Sequence, residues 1–184
     1  MNTTLGIIKA QLNTLTPEEQ YKILYELTYD VCNDNNWGDP FSYARSREIY
    51  MAIELGHSIA DTYSGEDAYI IDDNNEKVKF EYKSTIEPRI KGTYNGISVK
   101  SSLEEQIKYI KNEKIGCYPV HYYSRFDGGT IVETWSVPGD KVLTVLLPKI
   151  EKQYKSKKLK NTADPRIGVN MSMTDIKKNG IRIK

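Results

Sequence analysis

The chain has 184 residues, a 39% hydrophobic and 28% charged composition and a formal net charge of +1. This describes one ordinary globular domain with room for a real core, and it rules out a case for nucleic-acid binding made from net charge alone. No apolar run approaches the length of a bilayer span, and the N-terminus lacks a signal-peptide pattern, so a cytoplasmic protein is expected.

Leu5, Ile8, Leu12 and Leu15 recur at helical spacing over residues 5–15. Thr16-Pro17-Glu18-Glu19 then reads as an N-cap, a proline at the first helical position and a capping-box glutamate. The helix this opens is expected to reach Cys32, with Tyr21, Leu24, Leu27, Thr28 and Val31 on one stripe. Residues 1–40 thus form a helical part that packs on the core or on a second subunit. Trp37, in the following loop, reads as a packing residue. Cys32 and Cys117 match no metal-ligand spacing and are expected to be two buried thiols.

A longer helix is expected from Ser42 or Tyr43 to about Tyr63, with Ala44, Glu48, Ala52, Leu55 and Ile59 on its apolar stripe. An acid on such a stripe is costly unless paired or coordinated, so Glu48 either serves a site or pairs with Arg45 or Arg47. Ser64-Gly65 turns the chain into two strand-like runs, 67–72 and 78–83, joined by Asp73-Asn74-Asn75-Glu76-Lys77. This is a hairpin signal. Alternation places Val78, Phe80 and Tyr82 on one face of the second run and Lys79, Glu81 and Lys83 on the other. Asp67 then stands at the open end beside Glu81 and Lys83. Two carboxylates brought together cost free energy unless a cation joins them, and a hard divalent ion such as magnesium suits oxygen ligands.

Ser84 to Gly96 reads as an irregular basic loop containing Arg89 and Lys91, either solvated or following a phosphate backbone. Ser102-Leu103-Glu104-Glu105 caps another helix, on which Gln106 is expected at the surface. Residues 117–126 read as a strand, Asp127-Gly128-Gly129-Thr130 as a hairpin turn and Ile131 to Val137 as the return strand. A helix follows Pro138-Gly139-Asp140, with Val142, Val145, Leu146 and Ile150 inward and a kink at Pro148. The segment 151–160 holds the densest basic cluster, including Lys155, Lys157 and Lys158. Asp164-Pro165-Arg166 precedes a strand, Ile167 to Ser172, and a short terminal helix from Thr174-Asp175 to Asn179-Gly180. His57 and His121 lack zinc-ligand spacing and read as hydrogen-bonded scaffold residues.

An acid opening a hairpin, followed by Glu81-Tyr82-Lys83 on its second strand, resembles the PD-(D/E)xK nuclease superfamily, and type II restriction endonucleases in particular. Glu66 stands where the proline of that name would be. The likeness covers about residues 43 to 126, with neighbouring elements in the expected order. It implies an α/β fold with a restriction-endonuclease-like mixed central sheet flanked by helices, here with extra N-terminal helices, and with residues 127–184 as C-terminal strands and helices. It further implies magnesium, with manganese substituting, held by Asp67, Glu81 and the backbone carbonyl of Tyr82. Lys83 would position water or stabilise charge, and Glu48 would join through water. The implied substrate is a short specific sequence of double-stranded DNA, cut by a homodimer. Arg89, Lys91, Arg125, Lys155, Lys157, Lys158 and Arg166 are candidate DNA contacts. A junction-specific or repair nuclease, or an inert DNA-binding module, are the competing readings.

Overall fold

A computed structural model describes residues 3–61, 65–160 and 166–184. Its centre is a six-stranded mixed sheet in the order β1-β2-β3-β5-β6-β8. The strands are β1 (Ser58–Ile59), β2 (Ala68–Ile71), β3 (Lys77–Thr85), β5 (Val120–Asp127), β6 (Thr130–Pro138) and β8 (Ile181–Arg182); β4 (Gly92–Ile97) and β7 (Ile167–Met171) pair in a separate two-stranded sheet. All neighbours in the large sheet are antiparallel except β3 and β5. A parallel pair needs a crossover, supplied by β4, helix α4 (Leu103–Tyr109) and a π-helical turn, Ile110–Lys114.

The β2–β3 hairpin forms where the sequence places it. Asp72 closes the turn: its side chain accepts from the amides of Asn74 and Glu76, and Asn75 takes a positive φ of 62°. The alternation along β3 also holds. Phe80 and Tyr82 are buried with Met51, Ala52, Ala68, Phe126 and Ile131 under helix α3 (Arg45–Leu55). The opposite face belongs to the larger core of Tyr94, Tyr123, Val137, Val142, Leu146, Ile150 and Ile176, roofed by α5 (Gly139–Lys160) and α6 (Met173–Asn179).

Several boundaries differ from the sequence reading. Helix α3 stops at Leu55, because Gly56 takes the left-handed conformation (φ 69°) and its amide bonds back to Ala52 and Ile53. The chain then adds β1, an edge strand too short for its alternation to be seen; the expected helix end at Tyr63, and Ser64 of the following turn, lie outside the described residues. Residues 84–96 are not one loop: β3 runs on to Thr85, and β4 buries Tyr94 and Ile97. The register shift between Tyr94 and Ile97, with Gly96 at φ 70°, hides the alternation. Helix α5 continues through Pro148. Cys117 is exposed, whereas Cys32 is buried. Gln106 is fully buried: its Oε1 accepts from the Lys100 amide at 2.9 Å, and its Nε2 has no partner. No helix among the described residues is long and apolar enough to cross a membrane.

Helices α1 (Thr4–Leu12) and α2 (Pro17–Asp34) start as expected, α2 with a full capping box between Thr16 and Glu19. They do not sink into the core, and only Cys32 of α2 is buried among the described residues.

His121 is sealed between the layers of the larger core. Its Nε2–H donates to the Ile115 carbonyl at 3.0 Å, which fixes the tautomer and leaves Nδ1 to accept from the Tyr94 hydroxyl at 2.8 Å. Tyr94 then accepts from Tyr123 at 2.7 Å. Burial lowers the His121 pKa to about 3. The unfolded chain binds this proton below about pH 6.5 and the folded chain does not, so stability is complete above that pH and falls as pH drops toward 3. Urea unfolding of a His121→Gln variant is expected to lose about 1.4 kcal/mol per pH unit less than the parent protein between pH 6 and 4. Parallel slopes for the two proteins would contradict this buried, neutral imidazole.

Candidate active site

The site begins where a strand ladder stops. β2 pairs with β3 only as far as Ala68 opposite Phe80. The Asp67 amide still donates to the Phe80 carbonyl at 3.0 Å, but the Asp67 side chain then takes over from the strand. Its Oδ2 accepts from the Tyr82 amide at 2.6 Å. A strand residue directs its N–H and C=O to the same edge, so the Tyr82 carbonyl also faces the side where β2 has ended. Glu81 and Lys83 project from the two flanking positions to the face of the larger core.

Lys83 Nζ is ion-paired with Glu81 Oε1, and the two side chains are 21% and 15% exposed. The ammonium also lies 5.0 Å from the centre of the Tyr94 ring, within range of a cation–π attraction. Tyr94 reaches this position because β4 crosses close over the sheet at Gly92. A Cβ there would stand 2.2 Å from the Tyr123 ring and 3.3 Å from Lys83 Cβ, so no side chain fits without displacing its neighbours.

Glu48 comes to the same region from α3. It is ion-paired with Arg45 at 3.5 Å, and its charge is felt by both Asp67 and Lys83. The two readings of Glu48 therefore coexist: it pairs with Arg45 and it belongs to the charged group. Arg45 itself is buried, donating to the Trp37 carbonyl at 2.7 Å and to the Ala60 carbonyl. Ala60 in turn donates its amide to the Asp67 carbonyl at 3.3 Å. One guanidinium thus ties the start of α3 and the Trp37 loop to the strand edge that carries Asp67.

Electrostatics separates two adjacent acids. Glu66 is partly desolvated, but ion pairs with Lys77 at 2.6 Å and Lys79 at 3.2 Å outweigh that and lower its pKa to about 2. Asp67 moves the other way: burial and the charges of Glu81 and Glu48 raise it well above the ordinary carboxyl value, against the pull of Lys83 and the Tyr82 amide. Burial disfavours the Lys83 ammonium, yet Glu81, Asp67 and Glu48 together keep its pKa raised. Glu66 is a salt-bridge residue; Asp67 is an acid held in an unfavourable field.

Among the described residues, no three His, Cys, Asp or Glu side chains stand close enough to form a metal-ion group alone. An ion here would rest on Asp67, Glu81, the Tyr82 carbonyl and water. Such a sparse, hard oxygen set fits magnesium, which keeps several of its waters, and does not fit zinc.

The candidate DNA contacts are dispersed. Lys91 pairs with Glu87 at 3.6 Å and Arg125 with Glu133 at 3.6 Å, so neither offers an uncommitted cation. Arg89 is exposed on the β3–β4 connection. Lys155, exposed, and Lys157, half-buried, belong to α5, on the side of the sheet toward which Glu81 and Lys83 point. The Lys158 side chain, Asp164 and Pro165 lie outside the described residues. Arg166 borders a cavity of about 290 Å³ with Asn95 and Gly96, and a larger one of about 530 Å³ is lined by Tyr29, Cys32, Asn33 and Asp61. Asp67, Glu81 and Lys83 are not among the residues that line either. Sequence reasoning missed Tyr94, Gly92 and Arg45, since the first two lay in a supposed loop and the last was weighed only as a partner for Glu48.

Because the field around Asp67 opposes its charge, Asp67→Asn is expected to raise the melting temperature at pH 7 without magnesium. Each 1 kcal/mol of relief corresponds to roughly 2–4 °C for a chain of this size. A lower melting temperature would show that the carboxylate is there to stabilise the fold. No protein-family model matches the chain, and comparison with curated proteins finds no match, so a functional reading rests on this geometry.

Proposed function

We propose that the protein is a magnesium-dependent nuclease that hydrolyses phosphodiester bonds of double-stranded DNA at a short specific sequence, in the manner of a type II restriction endonuclease. The observation that carries this reading is the meeting of Asp67, Glu81, Lys83 and Glu48 in one mutual field at the end of a hairpin. The Asp67 carboxylate is fixed there on the Tyr82 amide. Manganese would replace magnesium in the same oxygen set.

Asp67 and Glu81 would hold the ion, and Glu48 would reach it through water. When bound, magnesium supplies an acidified water and screens the phosphate charge. Lys83 stays protonated under the influence of its carboxylate neighbours, so its role is to orient the attacking water and stabilise charge gathering on the phosphate, not to remove a proton. Its ion pair with Glu81 and its place over the Tyr94 ring hold the ammonium in position before substrate arrives. Arg89, Lys91, Arg125, Lys155, Lys157, Lys158 and Arg166 are the candidates for the DNA backbone and bases. A homodimer would place two such sites on the two strands of a palindrome.

Incubation with plasmid DNA and magnesium is expected to give discrete fragments, none when the metal is chelated. Lys83→Ala should slow cutting on the order of 100-fold or more while leaving DNA binding intact. Junction-only cleavage would point to a resolvase, and the absence of any cutting to a binding module. Equal cutting by Lys83→Ala would remove the assigned site.

A further inference from the structure

The backbone that leads into β5 is held on two sides. The π-helical turn comes first, an element found frequently at functional sites. Its Ile110 carbonyl accepts from the amides of both Ile115 and Gly116 at 3.0 Å. The Ile115 carbonyl then accepts from the Tyr118 amide at 3.4 Å and from His121 Nε2 at 3.0 Å. From the other side the start of α5 presses on the same segment. A Cβ at Gly139 would stand 2.1 Å from the Tyr118 carbonyl oxygen, and the Gly139 amide donates to the Pro119 carbonyl at 2.8 Å. Tyr118 is thus fixed in place and only 5% exposed.

Register brings its ring to the charged group. Glu81 stands opposite His121 across the β3–β5 pair, so the two side chains share a face. The Tyr118 ring meets the His121 ring edge-on, with centres 5.8 Å apart and planes at 87°. Tyr94, His121 and Tyr118 therefore form a row of rings along the face from which Glu81 and Lys83 project. Burial and then the charges of Glu81, Cys117, Asp67 and Glu66 raise the pKa of the Tyr118 hydroxyl, so it stays an O–H donor. Its neighbour is the exposed Cys117 thiol. Burial raises the Cys117 pKa, and hydrogen bonds from the Cys117 amide and the Tyr118 hydroxyl work against that rise.

We propose that Tyr118 is a substrate-contacting residue of this site, its hydroxyl donating to a non-bridging oxygen of the phosphate held on the ion. The assignment rests on the nuclease reading and adds to it a residue that no motif marks. A phenylalanine would complete the row of rings equally well, so the hydroxyl needs a reason of its own. Buried tyrosine hydroxyls ordinarily find a partner in the core. Those of Tyr94 and Tyr123 do so, whereas that of Tyr118 is directed to a thiol at the surface. Sulfur is a weak acceptor and a phosphate oxygen a strong one, so the donor exchanges partners with a net gain. A neutral donor also suits this place. A second ammonium here would pair with Glu81, as Lys83 does, and compete with the ion for that carboxylate. The acids around the hydroxyl repel phosphate until the ion offsets them, so the contact forms only in the metal-loaded protein.

Two equilibria of the full chain test it. Manganese binding is read from the electron paramagnetic resonance of the free ion, and binding of inorganic phosphate to the manganese-loaded protein by equilibrium dialysis. The parent protein is expected to take up phosphate only when manganese is present. Tyr118→Phe should weaken phosphate binding about 10-fold, the loss of one hydrogen bond to a charged group. Its manganese affinity should be unchanged, which shows that the site is still folded. Tyr122→Phe removes a hydroxyl from the opposite face of β5 and should match the parent in both equilibria. Phosphate affinity undiminished in Tyr118→Phe, a parallel loss of manganese, an equal loss in Tyr122→Phe, or a parent protein that binds manganese but not phosphate would each overturn the role of Tyr118 alone. A parent protein that binds no manganese would instead overturn the nuclease reading, and this assignment with it.

Discussion

The hydrogen bond from the Tyr82 amide to the Asp67 carboxylate is the constraint on which the rest turns. A buried strand edge needs its amides paired, and continued β2 backbone would do this at no electrostatic expense. Here a carboxyl side chain does it, and the ladder ends. Three things follow together: the β3 edge is left open, the Asp67 carboxylate is fixed within the field of Glu81 and Glu48, and Lys83 is held by the charges around it. The supports lie further out. Arg45 ties α3 to the Ala60 carbonyl, the Ala60 amide ties to Asp67, and the fully buried His121 braces Tyr94 beneath Lys83.

The central hairpin was legible because its signals are local. A turn rich in Asn and Asp between alternating runs specifies both the pairing and the face of each side chain, so Glu81 and Lys83 could be read from the residues as sharing one face of the second strand. Glu48 was legible as an acid at the wrong place on a helix. What escaped the sequence depends on tertiary context. β4 alternates only across a bulge at Asn95-Gly96, and β1 is two residues long. Gln106 looks like any surface glutamine until the chain folds over it. The early end of α3 did carry a signal, Gly56, which the apolar stripe running on toward Ile59 obscured. The basic residues were visible as residues, but their ion pairs with Glu87 and Glu133 were not.

Two features of the molecule run against stability, and both are concentrated. One is a carboxylate kept beside like charges; the other is an apolar helix face kept in water. Elsewhere the chain follows ordinary rules: capped helices, hydrogen-bonded histidines and acids such as Glu66 matched to lysines. Departures such as these, in an otherwise consistent fold, are where function is expected to reside.

The account depends most on Asp67 and Glu81 sharing one ion. Diffraction from crystals soaked in manganese, recorded at a wavelength where its anomalous signal is strong, addresses this directly. The account predicts one anomalous peak per chain, within bonding distance of an oxygen of each carboxylate and lost in Glu81→Gln. No peak at the end of the hairpin, or one bound by a single carboxylate and unaffected by that substitution, would contradict it.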